Sequence, residues 1–178
     1  MTICAKRVAA KHHLIYMTTN DQIFMTEAIA EAKLALEIDE VPIGAVAVLG
    51  DSVIGRAHNI RETTSDPLGH AEILVLEKIV KARPLPSWRF DEVTIYVTCE
   101  PCIMCMGACL QARVKRIVYG CKDPKAGACG SLFDLSCDER LNHQIEITSG
   151  VMADECGKLL SNFFERLRCR RSEVRNRK

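Results

Sequence analysis

The sequence predicts an α/β sandwich, a sheet covered by helices. Segments of helical and of strand periodicity follow one another in the order α-β-β-α-β-α-β-β-α. The 178 residues are 48% apolar and 26% charged, ordinary for one compact domain able to bury a core. No internal repeat, low-complexity segment or long linker interrupts the pattern. The same composition excludes global disorder. No apolar run reaches the roughly 18 residues that a membrane-spanning helix needs.

Each element has a local reason. Asp21 is placed to cap a helix over 22–37, where Phe24, Ala28, Ala32 and Ala35/Leu36 share a face. Pro42 precedes an apolar strand, Ile43–Leu49. Gly50-Asp51 signals a turn, and Val53–Ala57 reads as the returning strand. Arg61–Gly69 is polar and turn-rich. From His70, the spacing of Ala71, Leu74, Val75, Lys78 and Ile79 predicts a helix to about Ala82, stopped by Pro84 and Pro86. Val93–Thr98 alternates as a strand does. Pro101 suits the first position of a third helix, running to about Arg113. Arg116–Tyr119 is a short strand, Asp123–Ser131 a glycine-rich loop and Ile145–Thr148 another strand. Ala153–Arg168 closes the pattern as a helix, with Cys156, Leu159/Leu160, Phe163/Phe164 and Leu167 on one stripe.

The net charge of +1 hides an uneven distribution. Residues 1–16 carry three basic side chains and no acid; residues 165–178 carry seven basic side chains and two acids. The ends are therefore +3 and +5 around a body of −7. A basic end is available to phosphate, although solvation alone is its plainer role. The first 16 residues contain Lys6, Arg7, Lys11, His12 and His13 and lack the apolar stretch of a secretion signal; Met17 is a second candidate start. Ten cysteines without such a signal point to a reducing compartment and to metal binding rather than disulfides.

The chemistry sits at two expected helix starts. One reads His70-Ala71-Glu72 and the other Pro101-Cys102-Ile103-Met104-Cys105. Cys102 and Cys105 are three apart and share a helix face. The positive end of the helix favours their thiolates. If the two starts face one another, His70, Cys102 and Cys105 converge on one ion. Two sulfurs and an imidazole suit Zn²⁺, and three protein ligands leave a fourth position for water. Glu72, two residues from His70, is placed to act on that water without ligating the metal.

These motifs identify the chain as a member of the zinc-dependent nucleobase deaminases. It most resembles the bacterial tRNA-specific adenosine deaminases, along nearly all of residues 21–168. The resemblance rests on Val41-Pro42-Ile43-Gly44-Ala45, His58-Asn59, Asp66-Pro67, His70-Ala71-Glu72-Ile73, Tyr96-Val97-Thr98 and Glu100-Pro101-Cys102. Tyr119-Gly120, Asp123-Pro124-Lys125, Gly130-Ser131-Leu132, Asn142-His143 and Leu159-Leu160-Ser161-Asn162-Phe163-Phe164 continue it. Cys99 and Cys109 depart from the family pattern.

The resemblance implies a three-layer α/β/α cytidine-deaminase-like sandwich with a mixed five-stranded sheet. It implies hydrolytic deamination of adenosine to inosine at the wobble position of tRNA. One Zn²⁺ per chain would be held by His70, Cys102 and Cys105, with Glu72 moving the protons. It places Asn59 beside the flipped base, Asp123 and Lys125 near the RNA backbone, and Phe164 and Arg168 at the anticodon loop. It further implies a cytoplasmic homodimer whose partner is the tRNA anticodon stem-loop rather than DNA or a membrane. The organisation expected is an N-terminal extension over 1–20, a deaminase domain over 21–168 and a basic tail over 169–178.

Plainer readings stand beside these. Asn59 and Asp123 suit turns, Phe164 suits the core, and Arg168 suits a solvated face. Cys99, Cys102, Cys105 and Cys109 also spell the Cys-x₂-Cys-x₂-Cys-x₃-Cys run of iron–sulfur proteins. No second run accompanies it, Leu110 stands where proline would follow, and His70-Ala71-Glu72 is left unexplained. A non-catalytic zinc module closed by Cys99 or Cys109, and a deaminase of cytosine, cytidine or guanine, are the remaining alternatives.

Overall fold

The computed structural model describes residues 19–82 and 85–176. Helix α1 (Thr19–Glu37) leads into the hairpin β1 (Gly44–Leu49) and β2 (Ser52–His58). A single turn, α2 (Arg61–Thr64), precedes α3 (Ala71–Ala82). Strand β3 (Val93–Cys99), α4 (Ile103–Gln111), β4 (Arg116–Cys121), β5 (Glu146–Ser149) and α5 (Ala153–Asn176) follow. The five strands lie in the order β2-β1-β3-β4-β5. β1 is antiparallel to β2 and to β3, while β3, β4 and β5 run parallel.

Alternation along the central strands sends side chains to two cores. Ala45, Ala47, Ile95, Val97 and Ile117 cluster with Val75, Ile79, Met106 and Cys109 from α3 and α4. Val46, Val48, Tyr96 and Val118 cluster with Phe24, Met25, Ile29 and Cys156 from α1 and α5. The sheet is thus covered on both faces, the three-layer sandwich expected. Gly44 allows α1 to approach closely, because a Cβ there would lie 2.2 Å from the Ala28 carbonyl oxygen. The end of β2, the start of β1 and the end of β3 meet at one edge of the sheet: Gly44 pairs with His58, and Ala45 with Val97. The Gly44 N–H donates to Thr98 Oγ1 at 3.2 Å there. The two motif-bearing segments leave the sheet at this edge, beyond the carboxyl ends of β2 and β3.

Four local expectations change. Asp21 is not the residue preceding α1. It lies in the first turn, fully buried, accepting two bonds from the Arg116 guanidinium at 3.0 Å each and one from Tyr96 Oη at 2.9 Å. Helix α1 begins at Thr19, so Asp21 stands inside its first turn rather than before it. Part of the turn-rich stretch 61–69 is helical, because the buried Glu40 carboxylate accepts from Glu62 N (2.8 Å) and Thr63 N (3.1 Å) and so caps α2 from outside it. Pro101 is not the first residue of α4. Its carbonyl accepts from Ala128 N at 2.8 Å, and Cys102 beyond it is extended (φ −74°, ψ 173°), so the helix begins at Ile103. Finally, α5 continues eight residues past Arg168 to Asn176. The apolar stripe ends at Leu167, but Arg and Glu are good helix formers, and Arg170 pairs with Asp39 at 2.7 Å. The expected N-terminal extension falls outside the described residues except for 19 and 20; Pro84 and residues 177–178 lie outside as well.

Candidate active site

His70 ends the loop before α3; Cys102 stands at the N-cap of α4 and Cys105 in its first turn. Their donor atoms converge. His70 Nδ1 lies 3.8 Å from Cys102 Sγ and 3.5 Å from Cys105 Sγ, and the two sulfurs are 3.6 Å apart. A tetrahedral zinc with the usual bond lengths needs edges of about 3.8 Å between sulfurs and about 3.6 Å between sulfur and nitrogen. The donor set and its spacing therefore fit the ion. Among the described residues no other His, Cys, Asp or Glu joins this group.

The histidine half is held by backbone bonds. Ile60 N donates to Gly69 O at 3.0 Å, and His70 N to Leu68 O at 2.7 Å. Asp66 Oδ1 accepts from Leu68 N at 2.9 Å, closing the turn before the ligand. Glu40 anchors the far end of this loop through α2. Asn59 Oδ1 accepts from Ala71 N at 3.0 Å, satisfying an orphan donor at the start of α3.

The cysteine half is held by the glycine-rich loop. Gly127 forms a β-bridge with Cys102. A Cβ at Gly127 would lie 2.4 Å from Glu100 Cδ and 2.6 Å from Asp123 O, so only glycine fits. The buried Glu100 carboxylate accepts from the backbone N–H groups of Asp123 (3.1 Å), Cys129 (3.0 Å) and Ser131 (3.0 Å), and from Ser131 Oγ.

The electrostatics favour a cation at the centre. The hydrogen bond between the Cys102 and Cys105 sulfurs, outweighing burial, takes Cys102 down to about 4. The same bond, with burial adding to it, pushes Cys105 up. A divalent cation bound here would take the place of thiol protons. His70 is raised, first by its contact with Cys102, against burial. Glu72 is buried in the first turn of α3, and desolvation raises it; the Cys102 charge adds to this, while its own backbone N–H opposes it.

The remaining expected residues divide. Asn59 is buried, with its oxygen committed to Ala71, so its amide N–H groups are what it can offer a ligand. Asp123 Oδ1 accepts from Lys125 N (2.9 Å) and Ala126 N (3.2 Å), the turn-forming role, and Lys125 is exposed beside it. Phe163 is in the core at 3% exposure, whereas Phe164 is 42% exposed. Arg168 is exposed too. Cys99 and Cys109 do not reach the metal-ligating group. Both stay protonated, Cys99 through its bond to Cys121 and burial, Cys109 through burial. The four sulfurs of the iron–sulfur run are therefore not gathered around one ion. Glu40 and Glu100 were not expected as site residues. Glu100 stood only within the Glu100-Pro101-Cys102 resemblance, and no spacing rule marks either one.

Known proteins resemble this arrangement over most of its length. Residues 19–168 match the MafB19-like deaminase family. A tRNA-specific adenosine deaminase of Bacillus subtilis is 50% identical over 157 residues, covering 88% of this chain and 96% of that protein. A structure from studies of A-to-I editing by tRNA A34 deaminases at the wobble position of transfer RNA superposes with TM-score 0.72 and 39% identity, covering 78% of this chain and 99% of the other. A guanine deaminase from Bacillus subtilis agrees less well, with TM-score 0.53 and 30% identity over 60% of this chain and 66% of its own. A three-donor centre at paired helix starts, on a mixed five-stranded sheet and with similarity along nearly the whole domain, places the chain in the MafB19-like deaminase family, among the tRNA-specific adenosine deaminases.

Proposed function

We propose that this protein hydrolyses the exocyclic amine of adenosine at the wobble position of tRNA, giving inosine and ammonia. The observation that carries the reading is the convergence of His70, Cys102 and Cys105 beside buried Glu72, in a chain 50% identical to a tRNA-specific adenosine deaminase.

His70, Cys102 and Cys105 would hold the zinc. When bound, the ion supplies the Lewis acidity that makes water a nucleophile near neutral pH. Glu72 accepts the proton that the water gives up. It delivers that proton to the ring nitrogen next to C6 as the water oxygen adds to C6, then takes the proton of the new C6 hydroxyl and passes it to the amine, which leaves as ammonia while the C6 carbonyl of inosine forms. Burial suits it to this work, since a raised carboxyl group takes up a proton readily yet returns it within the same site. The Asn59 amide donates to the base from the side. Phe164 and Arg168 offer an aromatic face and a guanidinium plane to splayed anticodon-loop bases, and Asp123 and Lys125 lie along the RNA backbone. The same reading makes the protein a cytoplasmic homodimer acting on the tRNA anticodon stem-loop and not on DNA; no described helix is long and apolar enough to cross a membrane.

The test is a pair of assays with zinc-loaded protein. Ammonia release is followed from an unmodified arginine tRNA transcript with an ACG anticodon and, separately, from free guanine, cytosine and cytidine. Turnover of the transcript alone is expected. Turnover of a free base with an inert transcript would replace this reading with a small-substrate deaminase.

A further inference from the structure

Glu100 is a buried carboxylate with four hydrogen bonds that the proton chemistry leaves unused. It is 3% exposed, and its partners are three backbone N–H groups and one hydroxyl, with no basic side chain among them. Burying a carboxylate is costly unless hydrogen bonds replace the water it loses. An apolar residue would avoid that cost. What the carboxylate gains is reach across the loop. Its donors sit at the first residue of the glycine-rich loop, at Asp123, and at its far side, at Cys129 and Ser131. The middle of the loop is tied separately, through the Gly127–Cys102 bridge and the Ala128 N bond to Pro101 O. Glu100 is itself in register with its neighbours, its N–H donating to Cys121 O at 2.9 Å. Loop, ligand and sheet edge are thereby one rigid piece.

We infer that Glu100 is a positioning residue for the substrate: it fixes loop 123–131, with Asp123 and Lys125, at a set place relative to the Cys102 ligand, touching neither metal nor RNA. The inference rests on the wobble-adenosine reading for the identity of the substrate. Its consequence is a separation of effects. Disturbing Glu100 loosens the grip on tRNA before it harms the metal or the chemical step.

Steady-state kinetics on the tRNA transcript, with zinc analysis of each sample, test this. In Glu100→Gln an amide NH₂ faces backbone N–H donors that a carboxylate oxygen now satisfies. KM for tRNA is expected to rise about tenfold, kcat to stay within about threefold, and zinc to remain at about one per chain. Ser131→Ala removes one donor and keeps the carboxylate; a KM rise of about threefold is expected there, with kcat and zinc unchanged. Unchanged KM in both variants, or a parallel fall of kcat and zinc content, would overturn the inference. Should Glu100→Gln fail to fold, Ser131→Ala decides alone by the same two criteria. An inactive wild-type sample carrying full zinc would instead overturn the wobble reading, and this inference with it.

Discussion

The metal-ligating centre and the far end of α5 are built in opposite ways. At the centre every important side chain is half-buried or buried, and the backbone that carries it is pinned by further bonds. His70 follows a loop closed by Asp66 and anchored by Glu40, and Cys102 is bridged to Gly127. Along α5 beyond Phe163, the side chains of Phe164, Arg166, Arg168, Arg170 and Arg171 stand exposed. The difference is one of chemistry. A proton shuttle works where water is excluded and geometry is fixed. A phosphate-seeking surface works where charge reaches solvent, and it weakens with salt. On the proposed function, the acidic body and basic end of the sequence would correspond to two kinds of work.

Changes at the centre should strike every substrate alike. His70→Ala is expected to weaken zinc binding by more than about a hundredfold, since loss of an outer partner alone costs about 10–100-fold. Activity should disappear on tRNA and on a minimal stem-loop together; metal analysis and both assays check it. Changes on α5 should discriminate. Deleting residues 169–178 should weaken tRNA binding and flatten its salt dependence by about 0.7–0.9 in log–log slope for each phosphate that the tail no longer neutralises. A short, pre-flipped substrate should react almost as before; equal loss on both would mean a damaged fold rather than a missing surface. Phe164→Ala is the smallest of the three. It should cost about 1 kcal/mol or more in tRNA affinity, the low end for a stacked base, with kcat on the short substrate unchanged. A drop in thermal stability without an affinity change would return Phe164 to the core.

The same contrast explains what was legible in the sequence. His70-Ala71-Glu72 and Pro101-Cys102-x-x-Cys105 are readable because each ligand set is local, and helix starts bring them together. The element order and the sheet's alternation are readable for the same reason. Glu40 and Glu100 are not, because most of their partners are backbone N–H groups more than twenty positions away, which no side-chain pattern records. Asp21 looked like a cap because the cation that claims it, Arg116, is 95 residues distant. Phe163 and Phe164 are adjacent on one apolar run, and only the folded structure buries the first and exposes the second. The last turns of α5 have no apolar stripe, so hydrophobic periodicity stops at Leu167 while the helix does not.

Glu72 is the residue on which the proposed mechanism turns: in that proposal it carries the protons for deamination of the wobble adenosine, beside a metal that His70, Cys102 and Cys105 would hold. The direct comparison is wild type against Glu72→Gln, both zinc-loaded, on the ACG-anticodon transcript, reading inosine at the wobble base and zinc per chain. Wild type should yield inosine, the variant at least about a hundredfold less, and both should hold equal zinc. Undiminished inosine from Glu72→Gln, or none from zinc-loaded wild type, would contradict the mechanism.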